Sequence, residues 1–128
     1  MDSALQKRLA ESFRCAFAGL AHAARTQPNL RIHVALAVLV VGLAVLLRVP
    51  AAQTAVLFLA IAGVIGAELM NTAVEALVDL VNDGPHPQAG IVKDVAAASV
   101  LVMVVAAVLC GLWILGPPLA GGVAGLLR

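Results

Sequence analysis

Three apolar runs dominate this 128-residue chain, at 32–49, 54–81 and 95–115. Each reaches the length of about 20 residues that lets a helix cross a bilayer. At membrane depth the backbone must satisfy its own hydrogen bonds, so only helices and closed barrels are open to such runs. The runs are continuous rather than alternating, which selects helices. With 62% of residues hydrophobic and a mean hydropathy of +1.06, a soluble domain is excluded. The expected fold is an all-α membrane protein of one domain over 1–128. Its transmembrane helices are expected at 31–49, 54–81 and 95–115.

The segments between the runs refine this outline. Over residues 3–24, Leu5, Leu9, Phe13, Phe17, Leu20 and Ala24 recur at helical spacing, with Lys7, Arg8, Glu11 and Arg14 off the stripe. That pattern predicts an amphipathic surface helix within 1–30, lying on the membrane. Pro28 disfavours helix at Gln27 and suits a helix start. Pro50-Ala51-Ala52-Gln53 is a short connection that forces an antiparallel hairpin. The second run, at about 1.5 Å per residue, is about 40 Å long and exceeds the hydrocarbon core. Its last third therefore projects into the headgroup region and cytosol. Asn82-Asp83-Gly84-Pro85-His86-Pro87 reads as a turn. Gly116-Pro117-Pro118 is expected to stop the third helix, leaving 116–128 as a tail.

Charge placement sets the expected orientation. Lys7, Arg8, Arg14, Arg25 and Arg31 precede the first run, and Lys93 lies in the polar loop. The positive-inside rule places the N-terminus and that loop in the cytoplasm. Net charge is +1, and nothing suggests nucleic acid. Cys15 and Cys110 read as small apolar residues rather than a disulfide or a metal motif. Residues 1–31 carry charges throughout, so no cleavable leader is expected there. Trp113 is the one candidate aromatic anchor.

Glu68, Asn71, Glu75 and Asp79 share one face of the second helix, at spacing i, i+3, i+7 and i+11. Ionisable groups near the bilayer centre cost about 2.5 kcal/mol or more each, so they mark function. One buried Asn can join helices by hydrogen bonding, but three ionised carboxylates cannot bond one another. A hard cation held by oxygens, such as Mg²⁺, would balance them and points to phosphate chemistry at a membrane surface. A proton or cation pathway is the alternative. Lys93 reads either as an anchor or as a phosphate partner, and Asp94 as a helix N-cap or as the group orienting Lys93. Arg31 and His33 flank the first span; His86 lies in the proline loop, solvated or against a nucleotide. No Gly-rich phosphate loop is present in the sequence.

The segment Glu68-Leu69-Met70-Asn71-Thr72-Ala73-Val74-Glu75-Ala76-Leu77-Val78-Asp79, then thirteen residues, then Lys93-Asp94, resembles the signature of the prokaryotic diacylglycerol kinase and undecaprenol kinase family. The resemblance covers roughly 5–115 and includes Ser12-Phe13 and Arg31-Ile32-His33. It implies a homotrimer of three-span subunits in a prokaryotic plasma membrane, with active sites shared between subunits at the cytoplasmic face. It implies transfer of the γ-phosphate of MgATP to a lipid hydroxyl. By matching position, Glu68 would be the general base, with Asn71 and Asp79 supporting the base and the metal cluster. Glu75 would hold Mg²⁺. Arg8, Gly84, Pro85, His86, Lys93 and Asp94 would meet ATP together with Glu75. Arg31 and Ser99 join Glu68 as contacts for the lipid substrate. The Arg31-Ile32-His33 and Asp94-Val95-Ala96-Ala97 segments favour undecaprenol over diacylglycerol.

Two positions depart from the family pattern. Gln27 stands where a metal-binding Glu is usual; its amide oxygen can still coordinate Mg²⁺, but without charge. Cys15 stands where Tyr is frequent, which removes a stacking contact. Asp83 could compensate for Gln27. A non-enzymatic membrane protein, either a cation pathway or an inactive relative, is the alternative reading of the whole chain.

Overall fold

The computed structural model describes residues 3–82, 84 and 86–126. Its helices are α1 (Ser3–Thr26), α2 (Pro28–Leu46), α3 (Ala51–Val81) and α4 (Pro87–Leu126). The last three include stretches long and apolar enough to cross a membrane: Pro28–Leu46, Ala51–Val81 and Pro87–Gly121. α3 is the central element. It packs along α4 and more briefly along α2, while α2 and α4 scarcely meet.

α1 ends where the sequence predicts. Gln27 is extended at φ −105° and ψ 108°, and Pro28 occupies the first turn of α2. Proline lacks an N–H, and the first turn of a helix has no use for one. The corner is closed by Leu30, which is 1% exposed, and by buried Ala23. Leu5, Leu9, Phe13, Phe17 and Leu20 of α1 are all exposed.

The α2–α3 turn keeps the expected length of four residues but lies three residues earlier. α2 ends at Leu46, not at 49, and α3 begins at Ala51, not at 54. The Arg48 N–H donates to the Val45 carbonyl at 3.1 Å, and the Val49 N–H donates to the Ala44 carbonyl at 2.9 Å. These two bonds form a Schellman cap, which needs a left-handed residue. Arg48 supplies it at φ 53°, the only non-glycine with positive φ among the described residues. Val49 then packs with Leu43 beside the buried cluster of Ala44, Leu57 and Leu115, the apolar contact such a cap favours. Left-handed backbone costs an L-residue about 1–2 kcal/mol. Arg48→Gly is therefore expected to raise stability by about 0.5–1 kcal/mol, read as a higher melting temperature in detergent.

At the α3–α4 crossing, a Cβ on Gly63 would overlap the Met103 methyl. The missing side chain lets the two helices approach, as small residues do between membrane helices. Few side chains are buried elsewhere, and large apolar ones face outward, among them Val38, Leu59 and Leu109. Outward apolar surface on three spans suits hydrocarbon as the surrounding solvent.

α4 corrects two expectations. It begins at Pro87 rather than 95, and it continues through Pro117 and Pro118 to Leu126 rather than stopping at 116. At its start, Pro87 plays the part Pro28 plays in α2. The Gln88 N–H donates to Nδ1 of His86 at 3.2 Å, and the Gly90 N–H donates to the His86 carbonyl at 3.2 Å. His86 is thus the N-cap, and Asp94 lies inside the helix. Near the other end, each proline fixes φ at a helical value and removes one rung. Gly116 has no Cβ to collide with the Pro117 ring, which eases passage through the first of them.

Candidate active site

The polar stripe on α3 is graded by burial. Glu68 is 2% exposed and Asn71 8%; Glu75 is half-buried and Asp79 exposed. The helix therefore carries its carboxylates from an apolar interior out to solvent within four turns. Asn71 Nδ2 donates to Oε1 of Glu75 at 3.1 Å. A carboxylate only accepts, which fixes the amide orientation and turns Asn71 Oδ1 the other way. That oxygen is buried and unpartnered. The Thr72 hydroxyl donates to the Glu68 carbonyl at 2.9 Å, so it serves the backbone. No hydrogen bond engages the Glu68 carboxyl among the described residues, so its lone pairs stay open to another donor.

Across the helix pair, Nζ of Lys93 donates to Oδ1 of Asp79 and forms an ion pair between α4 and α3. Of the two roles open to Asp94, the N-cap is taken by His86; the carboxylate paired with Lys93 is Asp79, because α4 starts early enough to put Lys93 in its second turn. The neighbouring Asp94 is exposed and forms no ion pair among the described residues.

Val78, Asp79, Asn82, Gly84, His86 and Lys93 line an open cavity of about 750 Å³ at this end of the bundle. That volume is within the range of small-molecule sites. His86 uses Nδ1 as the acceptor for its cap bond, so the neutral ring carries its proton on Nε2, a donor available to an anion. The site thus presents one cation and one neutral donor beside a carboxylate. The cap and the ion pair were not foreseen. Pro87 was the overlooked signal, since proline in a first turn dates the helix start.

No ion pair or hydrogen bond ties the other expected residues to this group among the described residues. Arg8 and Arg31 are exposed and make no ion pair among the described residues. Ser99, also exposed, donates its hydroxyl to the Ala96 carbonyl at 2.6 Å. Gln27 is half-buried and makes no side-chain cap bond, which leaves its amide oxygen available. Pro85 and Asp83 lie outside the described residues.

Among the described residues, no three His, Cys, Asp or Glu side chains converge as a metal cage. Hard oxygens are nonetheless present: the half-buried Glu75 carboxylate, and on the far side of the Asn71 amide the orphaned Oδ1. The Glu75 carboxylate by itself fits Mg²⁺, which takes one or two carboxylates and fills its sphere with phosphate oxygens and water.

Below Glu68, an apolar groove of about 340 Å³ runs between α2, α3 and α4. Val64 and Ile65, one turn before Glu68, form part of its floor, and His33 lies on its wall.

The sequence profile of a family described as prokaryotic diacylglycerol kinase matches residues 14–115. A diacylglycerol kinase from Synechocystis sp. is 47% identical over 109 residues, covering 84% of this chain and 62% of that relative. The chain thus spans less than two thirds of that relative's length. An undecaprenol kinase from Bacillus subtilis is 38% identical over 112 residues, covering 88% of this chain and 91% of that relative.

Proposed function

The chain belongs to the prokaryotic diacylglycerol kinase family, and we propose that it transfers the γ-phosphate of ATP to the hydroxyl of a membrane lipid. The observation that carries this reading is the graded stripe. A buried carboxylate at the head of an apolar groove is joined on one helix face to an open cavity lined by Asp79, His86 and Lys93 and large enough for a nucleotide.

The lipid tail lies in the groove, and its hydroxyl donates to Glu68. Glu68 takes that proton as the lipid oxygen bonds to the γ-phosphorus. The bond from the γ-phosphorus to the bridging oxygen breaks, and ADP leaves. Phosphoryl transfer needs mainly positioning and charge neutralisation. Lys93 meets the phosphates after exchanging its Asp79 partner for them, and His86 donates from Nε2. Gly84 borders the nucleotide, with Arg8 and Asp94 at its edge and Arg31 and Ser99 toward the lipid. Mg²⁺, bound with ATP and held by Glu75 and Gln27, would supply further charge neutralisation.

One subunit leaves Glu75 half-open and Asp79 exposed. We place their completion in a homotrimer with the N-terminus cytoplasmic and α1 on the inner leaflet. Ala62, Gly66 and Ala73 form an exposed small-residue stripe on α3, and nothing lies within 4 Å of a Cβ built on Gly66. Close helix contact between copies uses such a stripe.

Undecaprenol is favoured as acceptor by the Arg31-Ile32-His33 and Asp94-Val95-Ala96-Ala97 segments. The test is transfer of labelled γ-phosphate to undecaprenol and diacylglycerol offered in parallel. Label in undecaprenol alone supports the full reading; label in diacylglycerol alone reassigns the acceptor. Gln27 favours the second reading, a membrane protein without kinase activity, and label in neither lipid would select it. If Gln27 borders the metal, Gln27→Glu adds a charged oxygen ligand and lowers the half-saturating Mg²⁺ concentration about tenfold. An unchanged Mg²⁺ titration would remove Gln27 from the metal.

A further inference from the structure

A second cavity, of about 530 Å³, opens at the end of the bundle opposite the polar stripe. The α2–α3 turn and α4 enclose it, through Arg48, Pro50, Gln53, Trp113, Pro117 and Pro118. We propose that it is a binding site for the phosphate headgroup of an anionic phospholipid, with Arg48 as its cationic contact.

Three observations carry this. First, Arg48 is a cation without a counter-ion. It makes no ion pair among the described residues, and no acidic residue lines the cavity. Between Ile32 and Ala67 it is the only charged residue in the chain, so an anion for it must come from outside the bundle's apolar middle. Second, the cavity wall has the composition of a membrane interface. Trp113 is 85% exposed beside it, and an exposed indole next to an arginine fits the headgroup level rather than water or hydrocarbon. Third, the wall carries other groups suited to a phosphate. Gln53 offers an amide donor. The first N–H groups of α3 have no intrahelical acceptor, and no side-chain cap at Pro50 takes them.

The position of Arg48 adds a consistent detail. A glycine would satisfy the left-handed cap at lower cost, yet a guanidinium is held there at the cavity rim. Guanidinium matches phosphate through paired N–H donors, which an ammonium cannot reproduce in the same geometry. The apolar side chains flanking the cavity leave room for acyl chains to descend along α4. A free phosphate would share the headgroup chemistry but gain nothing from them.

The test is native mass spectrometry of the detergent-solubilised protein titrated with phosphatidylglycerol, with phosphatidylcholine and inorganic phosphate in parallel. The expected result is about one phosphatidylglycerol retained per chain, with affinity about five- to tenfold weaker in Arg48→Gln and only partly restored in Arg48→Lys, which keeps the charge but not the paired donors. Oligomeric mass and phosphoryl transfer should be unchanged in both variants, because Arg48 is remote from the stripe. Equal retention by Arg48→Gln would overturn the proposal, as would equal retention of phosphatidylcholine. Displacement of the lipid by inorganic phosphate at similar concentration would identify a free-anion site instead. A changed oligomeric mass in Arg48→Gln would show that a second copy fills the cavity.

Discussion

Glu68→Gln is expected to reduce lipid phosphorylation by about 10²- to 10⁴-fold, the usual contribution of a positioned general base. The substitution preserves shape and removes only the ability to take a proton. Glu68 is 2% exposed and has no hydrogen-bonded partner for its carboxyl among the described residues. Burying a neutral amide costs less than burying a charge. The variant should therefore fold and assemble at least as well as the parent. Its KM for ATP should be nearly unchanged, because the cavity proposed for the nucleotide is formed by other residues, about three to four helical turns away along α3 or across on α4. That split separates the reading from a structural one. A residue that merely joins helices would change melting temperature and leave kcat alone. Full activity in Glu68→Gln would refute the base assignment. Lost activity accompanied by a lost oligomer would leave the effect to folding, and Glu68→Asp, which keeps the charge but shortens the reach, would then decide by whether any rate returns.

The sequence made the spans legible because a bilayer imposes a length and a polarity that composition reports directly. It made the stripe legible because the spacing of Glu68, Asn71, Glu75 and Asp79 repeats the helical period. Helix ends were read less well, and for identifiable reasons. The end of α2 depends on Arg48 adopting a conformation that glycine usually marks, so no residue-type signal announces it. The start of α4 was signalled by Pro87, but the polar cluster around it reads equally as loop. Pro117 and Pro118 read as a stop because each deletes a hydrogen bond; their fixed φ is nonetheless helical, and α4 runs through them. The Lys93–Asp79 pair followed from that early start, and no local pattern joins residues on two helices. The groove below Glu68 was invisible for a different cause. Its wall is built of apolar residues whose types report burial or lipid contact alike, and only the packing of α2 away from α4 opens it.

Lys93→Met is expected to lower kcat by about 10²- to 10³-fold, the scale of losing one preorganised charge on a developing anion. KM for ATP should rise as well, since the lost charge also meets the ground-state phosphates. Met keeps the unbranched stem and its packing, so the change isolates the ammonium. Stability should hardly move. The pair with Asp79 is 35% exposed on one side and 67% on the other, and pairs so open contribute at most about 1 kcal/mol. A competing explanation is that Lys93 only ties α4 to α3. Asp79→Asn breaks the same tie without removing the ammonium, so the two variants distinguish the roles. If Lys93 acts on the phosphates, Lys93→Met is far more damaging than Asp79→Asn. If the tie is what matters, the two variants are equally impaired and the double variant is no worse than either. The charge itself is the functional element, so Lys93→Arg should recover part of the ATP affinity while the misplaced fork holds kcat down.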